Sequence, residues 1–136
     1  MTIGRRHFLG IAGTLATAAV LPGCTTLTGG ERTMFGLIGS MRAAPGQRDA
    51  LIAILLDGIA GMPGCLSYIV ARDAGDDDLL WVTEVWDAEA SHQASLSLPQ
   101  VQAAIAKARP ILAGFGTRIV TVPVGGHGLS APVASG

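Results

Sequence analysis

From Met34 to Val124 the chain alternates short apolar runs with stretches whose apolar residues recur at helical spacing. MFGLIGSMR (34–42), apolar with interspersed glycines, predicts a strand. Pro45 then stands where a first-turn proline belongs, and Leu51, Ile54, Leu55, Ile59 and Met62 recur on one helical face. Met62-Pro63-Gly64 ends that helix. CLSYIVAR (65–72) and LLWVTEVW (79–86) read as strands joined by the acidic turn DAGDDD (73–78). Asp87 has the chemistry of an N-cap, and Glu89 favours the helix dipole. A helix is therefore expected through His92, breaking near Leu98-Pro99. A further helical piece carries Val101, Ala104, Ile105 and Ala108 on one face. GTRIVTVPV (116–124) predicts the last strand, with Pro123 near its end, where proline is tolerated.

The order β-α-β-β-α-β is the ferredoxin-like split unit, an α+β fold with four antiparallel strands in one sheet and the helices on one face. Such a sheet ordinarily alternates, apolar toward the helices and polar toward water. These strands do not. In the second, Leu66, Tyr68 and Val70 oppose Cys65, Ser67, Ile69 and Ala71; in the third, Leu80, Val82 and Trp86 oppose Leu79, Trp81 and Val85. Neither face is polar enough for open solvent, and the exposed patch would exceed what monomers usually carry. The pattern predicts a homodimer packed sheet to sheet around an apolar cavity.

The ends are of another kind. Residues 1–24 place Arg5-Arg6 before an apolar run from Phe8 to Leu21 that closes on Pro22-Gly23-Cys24. The run is shorter than the roughly 20 residues a bilayer span needs, so it predicts an export signal. Gly4-Arg5-Arg6-His7-Phe8-Leu9 resembles a twin-arginine signal, with Sec export the other possibility, and Leu21-Pro22-Gly23-Cys24 resembles a lipobox. Cys24 is the expected lipidation site, tying the protein to a membrane at the cell envelope or in the periplasm. Residues 25–33 read as a flexible tether, 34–124 as the folded domain and 125–136 as a disordered tail in which His127 is idle. The chain has only two cysteines, so with Cys24 acylated Cys65 is left as a lone thiol, a small hydrophobe on its strand.

Composition narrows the chemistry by exclusion. Net charge is −1 with nine Lys plus Arg and no basic run, which argues against nucleic acid. The folded segment offers one histidine and one cysteine, too few for a zinc site. DAGDDD lacks the ligand spacing of a calcium loop, and no dinucleotide, phosphate-loop or nucleophile-elbow motif is present. No metal and no cofactor is expected. The folded segment also carries His92, Glu84, Trp86, Tyr68 and Trp81. Each has a plainer role open to it. His92 would be a partly exposed helix residue or one bonding a neighbouring loop, Glu84 the partner of Arg72, Arg109 or Arg118, and the tryptophans filling for core and interface.

MFGLIGSMRAAPGQRDALIAILL, GCLSYIVARD and LLWVTEVWDAEASHQASLSLPQVQAAI together resemble the antibiotic biosynthesis monooxygenase family, including its quinol monooxygenase-like members. The most specific part is Glu84-x-Trp86, with His92 on the following helix and Pro99 before the last helical segment. The resemblance implies a dimeric α/β barrel that oxygenates a small quinol or other electron-rich aromatic with O2, without flavin, haem or metal, with His92 or Glu84 as the proton acceptor and Trp86, Tyr68 and Trp81 as aromatic walls. Many members carry a histidine where Ser95 stands here. Haem-degrading members use an Asn-Trp-His set whose histidine lies later still, and the downstream residues Ser95 and Leu96 speak against that activity. A non-catalytic module of the same fold, binding a small ligand or serving dimerisation at the envelope, is the alternative.

Overall fold

The computed structural model describes residues 33–130. The signal, Cys24, the tether as far as Arg32 and the last six residues of the tail lie outside the described residues. Four strands, β1 (Phe35–Ala43), β2 (Cys65–Arg72), β3 (Leu79–Trp86) and β4 (Leu112–Thr121), form one sheet in the order β2-β3-β1-β4. Every neighbouring pair is antiparallel. Helices α1 (Arg48–Gly58), α2 (Glu89–Ser95) and α3 (Pro99–Ala108) complete the split βαββαβ unit, with α3 running into a short 3₁₀ turn (Arg109–Ile111).

β3 sets the two faces. Leu80, Val82, Glu84 and Trp86 are buried, while Leu79, Trp81, Thr83 and Val85 between them are only half-buried. The first set looks toward the helices, because Leu51 of α1 and Ala108 of α3 pack with Leu80, Val82 and Ala43 in one core cluster. Phe35, Met62 and Trp86 form a second cluster at the other end of the sheet. An irregularity between Cys65 and Ser67 brings Cys65 opposite Trp86, so the thiol packs against that cluster. Helices α1 and α3 cross closely at Gly58, where an added Cβ would lie 2.8 Å from that of Ala104.

Several local expectations are revised. Pro45 lies ahead of α1 in a tight turn, closed by Gln47 N–H donating to Ala44 O at 2.9 Å with Gly46 at φ 75°. Proline at the first central position and glycine at the second suit a type II turn. Asp87 is not the cap of α2; Ala88 holds that position. The Asp87 carboxylate accepts the Ser91 hydroxyl, and its N–H donates to Gly64 O at 2.9 Å. β4 begins four residues before the expected Gly116 and ends at Thr121, because the 3₁₀ turn delivers Leu112 directly opposite Ala43. Pro123 lies past the strand end, over Gly36, where an added Cβ would approach its ring to 2.9 Å. In the tail, Ser130 N–H donates to Leu66 O at 3.0 Å.

The acidic turn is structured by arginines. Arg42 pairs with Asp76 at 2.7 Å, and Arg48 Nη1 donates to the carbonyls of Asp73, Asp76 and Leu79. Among the described residues no group of His, Cys, Asp and Glu is arranged to hold a metal ion.

Candidate active site

Between the sheet and the helices lies a cavity of about 430 Å³. Its walls are apolar for the most part: Met41 and Leu112 from the strands, Leu51, Leu55 and Ile59 from around α1, Ile105 from α3. The few polar side chains in the lining are those of Tyr68, Glu84, His92, Ser95 and Arg109. That composition, an apolar chamber with a few convergent polar groups, is the usual form of a small-molecule site.

The lining residues run from the helices to the exposed Phe115 of β4. This cavity lies between the sheet and its own helices, so Glu84 faces the helices and not a gap between two sheets. The physical reason is the parity of β3. Glu84 shares its face with Val82 and Trp86, and that face is the one the helices cover.

Glu84 and His92 come together. Glu84 pairs with Leu37 of β1 and Tyr68 of β2 in the ladder, so it sits mid-sheet, 9% exposed. The Trp86 indole N–H donates to Glu84 Oε2 at 2.8 Å. His92, one turn into α2, brings Nε2 to 3.7 Å from the same oxygen. The imidazole is 8% exposed, not the partly exposed residue of its plainer role. Its ring is held edge-on to Trp86 at 5.6 Å and tilted on Phe35 at 5.1 Å. His92 Nδ1 is buried and has no hydrogen-bond partner among the described residues.

Burial pushes the Glu84 carboxyl above the usual carboxylate range, against the opposing effects of the Trp86 N–H, His92 and Arg118. None of the three arginines proposed as its partners neutralises it through a hydrogen bond. Arg72 is taken by Asp49 at 2.9 Å, Arg109 lies at the cavity wall, and Arg118 acts only through its field. Burial, with the charge of Glu84 and Cys65 nearby, also pushes the Tyr68 phenol up, so it stays a hydroxyl donor. Burial raises the Cys65 thiol as well, Glu84 adds to this, and the thiol bonds Ser67 O.

Trp86 and Tyr68 line the cavity as expected. Trp81 does not. It belongs to the opposite face of β3, and its indole donates to Asp73 Oδ1 at 2.8 Å, fastening the acidic turn to the sheet. Ser95 does line the cavity, with its hydroxyl donating to His92 O at 2.7 Å. Phe115 of β4 was missed in the sequence because it precedes the expected strand.

Fold and site together define a small α+β domain with an apolar cavity and a buried carboxylate–imidazole pair. The family model of antibiotic biosynthesis monooxygenase matches residues 34–107, more than half of the chain. The chain belongs to that family. A crystal structure from Chloroflexus aurantiacus J-10-fl, provisionally named an antibiotic biosynthesis monooxygenase, is 63% identical over 72% of this chain and 100% of that one, with a TM-score of 0.70. A Pseudomonas aeruginosa structure shares the fold at 23% identity, covering 71% of this chain and 100% of that one, with a TM-score of 0.62. A Nitrosomonas europaea structure shares it at 10% identity, over 68% and 91% of the two chains, with a TM-score of 0.63. No protein of curated function matches the chain.

Proposed function

We propose that the protein is a cofactor-independent monooxygenase that oxidises a small quinol or other electron-rich phenol with O2 in the cavity. The observation that carries this reading is the pairing of an apolar, aromatic-walled chamber with a buried, partly compensated carboxylate beside an imidazole. Phenolates are reducing enough to pass an electron to O2 unaided, so the protein has to supply a base, orientation and exclusion of water.

The steps balance without an added reductant. The Glu84–His92 pair takes the phenolic proton, and the phenolate gives one electron to O2. The resulting superoxide and aryloxyl radical combine to form a C–O bond at a hydrogen-bearing ring carbon ortho or para to the oxygen. The pair returns its proton to that peroxide. It then removes the hydrogen on the same carbon while the O–O bond breaks and hydroxide leaves. The hydroxide takes up that proton as water. One phenol and one O2 give one quinone and one water. Trp86 and Tyr68 bound the ring, and the raised Tyr68 phenol offers a hydrogen bond to the substrate oxygen.

The test is oxygen uptake by metal-stripped protein offered a panel of hydroquinones, with His92→Ala and Glu84→Gln alongside. Removal of the base should cost about 10²- to 10⁴-fold in kcat/KM. Ligand binding with no oxygen consumed by wild type across the panel would make the domain a binding module instead. We assign the site to a membrane-tethered protein on the lipobox-like Leu21-Pro22-Gly23-Cys24. Cys24→Ser should release it from membranes on fractionation; wild type already in the soluble fraction would remove the anchor.

A further inference from the structure

Glu84 has two oxygens in unequal surroundings. Oε2 receives the Trp86 indole N–H and lies 3.7 Å from His92 Nε2. Among the described residues Oε1 receives no hydrogen bond, yet it is not one of the buried polar atoms left unpaired there, which are Arg48 Nε and His92 Nδ1. Glu84 lines the cavity, so Oε1 is the oxygen that opens into it. His92 Nδ1, by contrast, is sealed away from both protein partners and the cavity.

We propose that Glu84 Oε1 is the atom that takes the substrate's proton, and that Trp86 and His92 are positioning residues holding Oε2. This rests on the monooxygenase reading of the same cavity. An indole nitrogen can only donate, so Trp86 fixes one carboxylate oxygen as an acceptor and fixes the plane of the group. At 3.7 Å the His92 contact is longer than a hydrogen bond and acts by charge and dipole. A proton on Nε2 is attracted by Oε2, whereas a proton on Nδ1 would meet no acceptor. The imidazole thus carries its proton on Nε2 and presents no free lone pair to the substrate. The phenolic O–H bond breaks, its proton bonds to Oε1, and the carboxylate becomes a carboxylic acid beside the phenolate. The negative charge stays in the cavity and moves by one hydrogen bond's length.

The groups that act on Glu84 are Tyr68 and Cys65 from β2, Trp86 on its own strand, His92 from α2 and Arg118 from β4, and Arg109 after α3 shares the cavity lining. Of these, Trp86 bonds Oε2 more strongly when the carboxyl is charged than when it is protonated on Oε1, so removing its N–H disfavours ionisation. The experiment uses the full chain with ¹³C-labelled glutamate and follows the Glu84 carboxyl by NMR as pH is varied. It is run for wild type, Trp86→Phe and His92→Gln, and for replacement of Trp86 by β-(3-benzothienyl)alanine, which keeps the ring shape and lacks the donor. In the two Trp86 variants the Glu84 titration should move to higher pH. The rising limb of kcat/KM should move with it, giving about ten-fold loss at low pH that closes as pH rises. His92→Gln, which keeps a donor, should retain most of the rate. An unmoved Glu84 titration, or equal loss at every pH, would overturn the positioning role. Abolition of turnover at all pH in His92→Gln with activity retained in Glu84→Gln would overturn the assignment of Oε1. Absence of oxygen uptake in wild type would remove the reaction, and Oε1 with it, while the NMR titration would still decide what Trp86 does.

Discussion

Glu84 is the residue on which sequence and chemistry meet. A carboxylate on the covered face of a central strand is costly unless bonded or protonated, and here it has one indole donor and a distant imidazole. Its folded-state pKa is raised above the ordinary value, chiefly by burial. The folded protein therefore binds the proton more tightly than the unfolded chain does. The associated stability is fully present below the ordinary carboxylate pKa and is lost as pH rises through the raised one. Glu84→Gln should flatten that slope, so that urea unfolding across the pH series converges on wild type at low pH and shows the variant as the more stable protein above it. A wild-type slope unchanged by the substitution would contradict the burial argument. That Glu84, Trp86 and Tyr68 share a face was legible from the period of two along the strands. The burial of His92 was not, because α2 has only seven residues and shows too little periodicity to say which side it hides.

At the scale of elements, β2 and β3 fall at their expected boundaries, since Pro63-Gly64 and the acidic turn punctuate two unbroken apolar runs. β4 was displaced because Pro110 and the small residues after it mask the start of pairing opposite Ala43. The β1–β4 ladder also carries an irregularity between Gly39 and Met41 that no period reveals. There Ser40, 4% exposed, accepts the Thr117 N–H at 2.8 Å through its hydroxyl. Gly116 is needed beside it, because a Cβ would lie 2.4 Å from Ser40 Oγ. Ser40→Ala leaves the Thr117 N–H unpaired next to the sheet and should cost about 1–3 kcal/mol in urea unfolding. A loss within error of zero would mean that water or a shifted backbone replaces the bond.

At the scale of the molecule, apolar surface of the described residues is exposed along the β4 edge. Phe115 is 77% exposed, Val122 63% and Val124 94%, with Ile119 and Val120 about half exposed. On the other edge strand Ile69 is 56% exposed. A second copy is the covering we propose, with the sheet faces and β4 edges in contact. Sedimentation equilibrium should return twice the chain mass, and Ile119→Asp should return the single mass; a wild-type protein sedimenting as one chain would contradict the dimer. The apolar character of the uncovered face was legible from the strands, but the cavity's place was not. It depends on how far the helices stand off the sheet, a distance that no residue pattern encodes.

The fate of labelled oxygen tests the central claim most directly. Metal-stripped protein turning over a hydroquinone under ¹⁸O2 should place one labelled atom in the organic product and the other in water, with no incorporation above background in Glu84→Gln. Label appearing only in hydrogen peroxide, or equal incorporation with and without the protein, would contradict it.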